Sequence, residues 1–255
     1  MKISAAIVTL DEERNIARCL DSLEGVADEV VVLDSGSRDA TGRICRERGA
    51  VFASQPWLGY GPQKNAAVER TAHAWVLSLD ADEALSDELR VSIRRLKDEG
   101  PAADAYEVNR RNWYCGRFLR HSGWYPDRKV RLWRKGAARW TDAAIHELAE
   151  VTPGARVERL RGDLLHYTIH DRAQHLRTIE RFTTLSAEEL LRAGKGGQAW
   201  KRFVVPAATF ARGYVLKLGF LDGKAGWDVS RLSAYATWLK YEKLRRLAGG
   251  GHTSA

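Results

Sequence analysis

Four short apolar runs punctuate the first third of the chain. Residues 3–10, 29–33, 50–53 and 74–77 are dominated by Ile, Val, Leu and Ala, and polar turns bound each run. Runs this short and this rich in β-branched residues predict strands buried on both faces. Between them lie helical patterns. After the polar stretch 11–15, Ile16, Cys19, Leu20 and Leu23 fall on one stripe, and further helices are expected over about 41–48 and 63–71. Strands alternating with helices of this length predict a parallel, doubly wound sheet.

The pattern changes near residue 104. Residues 105–113 and 127–136 alternate like strands of a mixed sheet, the second placing Val130 and Leu132 on one face and Arg131 and Trp133 on the other. An aromatic loop, 121–126, lies between them, and shorter strand-like runs follow up to Tyr167. The last third is helical. Asp171 caps a helix that carries Leu176, Ile179, Phe182, Leu185, Leu190 and Leu191, and a final helix is expected over about 230–247. Residues 200–221 form a very apolar stretch with aromatics at its edges, four cations and no acid. Such a stretch suits the interface of an anionic bilayer, with lysine and arginine reaching the head groups. The plain alternative is a core helix. The expected division is a domain over 1–170, itself split into 1–103 and 104–170, then a helical extension over 171–248 and a frayed tail over 249–255.

Composition adds bounds. A chain of 255 residues, 44% of them hydrophobic, suits one large domain or one domain with an appendage. Three widely spaced cysteines form no metal pattern and point to packing roles in a reducing compartment. No signal peptide and no transmembrane helix are expected. The net charge of +8 is uneven: 18 acidic against 13 basic residues over 1–100, 12 against 18 over 101–200, and 3 against 10 over 201–255. An acidic front half argues against a nucleic-acid binder, and a basic, apolar tail favours an anionic membrane surface.

The chemistry concentrates at Asp80-Ala81-Asp82-Glu83. These residues follow a buried strand and precede Ser86, which can cap the next helix. Ligands of open α/β sheets bind beyond the carboxyl ends of the strands. Asp80 and Asp82 alternate with a small residue, so both can turn toward one hard cation that relieves their repulsion. An Asp-x-Asp alone is a weak signal, and a solvated acidic turn is its plainer reading. Lys64, in the first turn of a helix where a cation is locally unfavourable, is explained if it faces an anion.

Taken together, Thr9-Leu10-Asp11-Glu12-Glu13, Asp34-Ser35-Gly36-Ser37-Arg38-Asp39-Ala40-Thr41, Lys64-Asn65 and Asp80-Ala81-Asp82-Glu83 resemble the nucleotide-sugar half of inverting GT-A glycosyltransferases of the family 2 type. Residues 105–170 resemble the acceptor half of the lipopolysaccharide core branch of the WaaE type. The marks are Ser122-Gly123-Trp124-Tyr125-Pro126-Asp127, Lys129-Val130-Arg131-Leu132-Trp133, Ile145-His146-Glu147 and Leu165-His166-Tyr167. The stretch 218–223, with Gly226, is similar to membrane-associated members of that branch. The resemblance implies an α/β GT-A fold, a Rossmann-like mixed sheet flanked by helices, with a C-terminal helical, membrane-associating extension. It implies that Thr9, Leu10, Glu13, Asp34, Ser35, Lys64, Asp80, Ala81 and Asp82 bind the donor, with Asp34 accepting a uracil N–H. Asp82 and His166 would hold Mg²⁺ or Mn²⁺, His166 having a plain alternative as a core histidine. Trp124 and His146 would meet the acceptor. Glu147 is the candidate general base and Asp142 its rival.

The expected activity is metal-dependent inverting transfer of a hexose, glucose from UDP-glucose, to a lipopolysaccharide inner-core or other lipid-linked glycan. The enzyme would be cytoplasmic, peripheral on the inner face of the bacterial inner membrane, and would not bind nucleic acid. The oligomeric state stays open. A nucleotidyltransferase could use a similar sheet, but the Asp34 turn is unlike a glycine-rich phosphate loop. A non-catalytic membrane or nucleic-acid binding module is the rival from another class.

Overall fold

The computed structural model of the protein describes residues 1–142 and 148–249. The chain divides into two compact units: Met1–Arg111 with Asp127–Tyr167, and Asn112–Pro126 with Thr168–Ala255.

The first unit is built on a mixed sheet. Its elements are β1 (Ile3–Thr9), α1 (Ile16–Ser22), β2 (Glu29–Asp34), α2 (Thr41–Glu47), β3 (Val51–Ser54), α3 (Tyr60–Glu69), β4 (Trp75–Asp80), β5 (Glu83–Leu85) and α4 (Asp87–Glu99). These are followed by β6 (Ala105–Tyr114), β7 (Arg117–Phe118), β8 (Asp127–Arg134), β9 (Ala138–Trp140), β10 (Ala149–Val151) and β11 (Val157–Ile169), of which β6, β7 and β11 extend into or lie in the second unit. The strand order is β3-β2-β1-β4-β8-β6-β11-β5, with β7 on β6 and a separate β9–β10 pair. The first four strands are parallel, as the alternation of apolar runs and helices predicts, and β8 joins antiparallel to β4.

Register sets the site. Thr9 of β1 lies opposite Asp34 of β2, and Val8 lies opposite Asp80 of β4, so three strand ends finish abreast. At the far edge β5 pairs antiparallel with β11, placing His166 opposite Glu83. Asp80 and Glu83 are three residues apart, yet their strands stand at separate places in the order, so the sheet curls back on itself. Ile3, Ile7, Leu77, Leu79 and Leu132 fill one face together with Ile16, Leu23, Leu89 and Ile93 from the helices. Ser86 caps α4 by accepting the N–H of Leu89 at 3.3 Å. Cys19 and Cys45 are buried packing residues, but Cys115 is exposed at a positive φ of 44°, unlike the packing role expected for it.

In the second unit α5 (Arg172–Arg192) begins at Asp171, whose carboxylate accepts the N–H of Gln174 at 2.8 Å. It packs on α7 (Gly223–Gly249) through Ala187, Tyr241 and Leu244. The apolar stretch between them is not one helix. It forms a 3₁₀ segment (Gly196–Phe203), α6 (Val205–Ala211), a π turn (Arg212–Leu216) and a second 3₁₀ turn (Gly219–Asp222). The break comes where Leu218 adopts φ 53° and Gly219 meets Gly226: a Cβ on Gly226 would lie 1.8 Å from the Gly219 carbonyl oxygen. No residue from 196 to 218 is buried, so the core-helix alternative does not hold. No described helix is long and apolar enough to cross a membrane.

Candidate active site

The loops after β1 and β2 lace together. The Asp11 N–H donates to Ser37 Oγ at 2.8 Å, and Asp11 Oδ1 accepts the N–H of Arg38 at 2.7 Å. The Glu12 N–H donates to Thr41 Oγ1, and Glu13 Oε2 accepts the N–H of Ala40. Asp34 is buried and closes its own turn, one oxygen accepting the N–H groups of Gly36 and Ser37 at 2.9 Å and the other the Ser37 hydroxyl. A carboxylate has about four acceptor positions, so one more donor can still reach it. Ser35 Oγ accepts from Gln63 Nε2 at 3.1 Å. Thr9 Oγ1 and Gln63 Oε1 are buried with no hydrogen-bond partner among the described residues, and Leu10 is exposed. Two orphaned acceptors beside the strand ends are what a polar ligand would satisfy.

Lys64 answers the question posed by its helix position. Its Nζ sits 2.8 Å from Asp80 Oδ1 and 4.3 Å from the centre of the Trp140 ring. Arg131 Nη2 adds a contact at 3.4 Å to Asp80 and one at 2.6 Å to Glu83 Oε1, while the other Glu83 oxygen accepts the Asp80 N–H at 3.0 Å. Burial works to raise the Asp80 pKa, but the charges of Lys64 and Arg131 outweigh it and hold the carboxyl well below its usual range. Arg110 bridges Asp127 at 2.8 Å and approaches Glu83 at 3.7 Å.

Asp82 has a different environment. Its carboxylate lies 3.2 Å from His166 Nε2, and its carbonyl accepts the N–H of Tyr167 at 2.8 Å. Burial raises its pKa, and His166 more than reverses that. For Glu12 no cation is among the causes that set its pKa within the described residues. Burial first, then the field of Asp82, push its carboxyl up to about 7. Among the described residues no group of three or more acidic, histidine or cysteine side chains is gathered as a metal cage. Asp82 and His166 nonetheless offer a hard oxygen and an imidazole nitrogen to one cation. That suits an ion that keeps water and phosphate oxygens as its remaining ligands.

Thr9, Asp34, Ser35, Lys64, Asp80, Ala81 and Asp82 therefore gather in the first unit, with Leu10 and Glu13 on the exposed side of the β1 loop. Asp142 is exposed, one residue past Thr141, whose carbonyl oxygen would lie 1.7 Å from a Cβ on Gly61. His146 and Glu147 lie outside the described residues. Trp124 belongs to the second unit, edge-on to Tyr114 and His175. The sequence pattern did not single out Arg110, Gln63 or Trp140; it assigned Glu12 only a place in the β1 loop and Arg131 only a strand face, with no role for either charged side chain. Arg131 sits on the face it shares with Trp133, and both are buried because that face is covered too. Trp140 is fixed by its Nε1–H to Ser78 Oγ and by two backbone bonds with the Asn65 amide.

Comparison with known proteins agrees with this geometry. Residues 4–162 match the model of glycosyl transferase family 2. The lipopolysaccharide core biosynthesis glycosyltransferase LpsC of Rhizobium meliloti is 30% identical over 251 residues, covering 96% of this chain and 92% of that protein. An uncharacterized glycosyltransferase of Rickettsia typhi, RT0209, is 28% identical over 256 residues, covering 97% and 88%. A crystal structure of glucosyl-3-phosphoglycerate synthase from Mycobacterium tuberculosis, with Mn²⁺, UDP and glucosyl-3-phosphoglycerate, overlaps 44% of each chain at 24% identity and a TM-score of 0.36, too little to bear on the chemistry. A match across the curled sheet and both acidic strand ends, with a relative aligned over nearly its whole length, places the chain in glycosyl transferase family 2.

Proposed function

We propose that the protein transfers a hexose, glucose from UDP-glucose, with inversion to an inner-core heptose of lipopolysaccharide or another lipid-linked glycan at the inner face of the bacterial membrane. The observation that supports this most is the register that brings Thr9, Asp34 and Asp80 abreast, with Asp82 beside His166 just beyond. The name of LpsC, a lipopolysaccharide core enzyme, favours the acceptor class.

In this reading Thr9, Leu10, Glu13, Asp34 and Ser35 receive the base and ribose. Asp80, kept ionised by Lys64 and Arg131, accepts from ribose hydroxyls, and Ala81 leaves room between the two aspartates. Asp82 and His166 would hold Mg²⁺ or Mn²⁺, which when bound neutralises charge on the departing nucleoside diphosphate. Trp124 and His146 contact the acceptor. Glu147, or Asp142 in its place, takes the proton of the acceptor hydroxyl while that oxygen attacks the anomeric carbon and the bond to the diphosphate breaks. One base and one displacement suffice, so no covalent nucleophile is required.

The test is incubation of the purified protein with nucleotide sugars, Mg²⁺ or Mn²⁺ and a truncated core acceptor. The expected result is UDP release and a glycan of inverted anomeric configuration. No product with any nucleotide sugar, or release of pyrophosphate, overturns the reading.

A further inference from the structure

We propose that the second unit carries a preformed wedge, residues 200–221, that inserts its apolar tips into the surface of an anionic lipid bilayer. The proposal deepens the membrane-side acceptor reading above, and rests on it only for its purpose.

Burial is the first observation. The stretch is strongly apolar, yet nothing in it up to Leu218 is buried; Phe203 is 72% and Leu216 75% exposed. Isolated apolar residues on a surface need no explanation, but exposed runs close together in the chain mark an interaction face. Trp200 and Val204 flank Phe203 at one end of the stretch, Val215 and Leu221 flank Leu216 at the other, and each of these is more than half exposed.

Rigidity is the second. The tip at 215–221 is held from behind. The Lys217 carbonyl accepts the N–H of Ser122 at 2.9 Å. The buried Asp222 carboxylate accepts the N–H groups of Arg120 and His121, the latter at 2.8 Å. Gly226 admits the Gly219 backbone at a distance no side chain would tolerate. Phe210, Tyr214, Phe220 and Trp227 brace the base through ring contacts of 5.2–6.3 Å. A surface ordered beforehand loses little conformational entropy on docking.

Charge selects the occupant. Lys201, Arg212 and Lys217 have no acidic partner among the described residues, and Arg202 reaches only Glu242 at 3.6 Å. There is no acid between residues 200 and 221. A second copy docking through the same face would bring these cations against their own images, because a two-fold interface pairs a patch with itself. Anionic head groups complement them, with the apolar tips below and the half-exposed aromatics at head-group depth.

The experiment is co-sedimentation of the full chain with vesicles of phosphatidylcholine plus phosphatidylglycerol, and with phosphatidylcholine alone. Wild-type protein is expected to bind the anionic vesicles, less so at high salt, and the neutral ones weakly. Phe203→Ser with Leu216→Ser should lower the partition coefficient by more than about tenfold. Lys217→Glu should weaken binding to anionic vesicles alone. All variants should keep wild-type UDP affinity by calorimetry, because no substituted residue belongs to the donor site. Wild-type protein that ignores anionic vesicles at low salt, or a double-serine variant that binds like wild type, overturns the proposal. A dimer in sedimentation velocity that dissolves with the same serines overturns it in favour of self-association. Binding that holds in a protein unable to transfer sugar leaves the wedge standing and removes only the transferase reading.

Discussion

The Arg131 guanidinium and the Glu83 carboxylate meet at 2.6 Å, and their side chains are 2% and 0% exposed. Such a pair is stable only as a pair, since removing one partner leaves a buried, uncompensated charge. Arg131→Met should therefore destabilise the first unit by about 3–5 kcal/mol. Adding Glu83→Gln should recover much of that loss. Urea unfolding of the single and double variants measures both, and a neutral Arg131→Met would show that the pair contributes nothing.

Glu12 gives the chain a pH dependence of known sign. Its carboxyl is raised from 4.5 to about 7 by burial and by Asp82. A raised acid favours the fold while protonated, so its contribution is complete below 4.5 and is lost as pH climbs through about 7. Glu12→Gln should remove this slope. The variant should be more stable than wild type above neutrality by on the order of 1–3 kcal/mol in metal-free buffer. Thermal melts from pH 4 to pH 8 test it, and parallel curves for the two proteins would refute the assignment.

His166 and Asp82 are expected to act together on a divalent ion. His166→Ala should weaken Mn²⁺ binding in the presence of UDP by at least about tenfold, measured by electron paramagnetic resonance titration. UDP affinity without metal should change little. Unaltered Mn²⁺ affinity would return His166 to a purely structural partnership with Asp82.

For the proton transfer, Glu147→Gln should reduce kcat by about 10²–10⁴-fold while leaving the UDP dissociation constant unchanged. Asp142→Asn should have a small effect. The reverse pattern would move the base to Asp142.

The grouping of Lys64 with Asp80 was legible in the sequence because its cues are local. A buried run ending in Asp80 needs only periodicity to place it, and a lysine at a helix start asks for an anion, which proves to be Asp80 at 2.8 Å. Arg131 was not legible as part of that group. Alternation assigns it a face but cannot say that the face is covered, and its partner Glu83 is 48 residues away. The Asp34 turn shows the converse limit: the glycine and the bend were expected, but not that the turn's own N–H groups would occupy the carboxylate. The fate of 200–221 depended on tertiary contacts as well, since apolar composition does not distinguish a core helix from a chain folded back at Leu218 and Gly219.

Gly61 shows how little room separates α3 from the chain at Thr141. It stands in α3, the helix that carries Lys64, and faces the Thr141 carbonyl so closely that even a methyl group would collide with it. With no side chain between them to yield, two backbones in contact pass a displacement on instead of absorbing it. A shift of α3 at Lys64 would thus be felt next door at Asp142, so a substitution that enlarges Gly61 should disturb both positions at once.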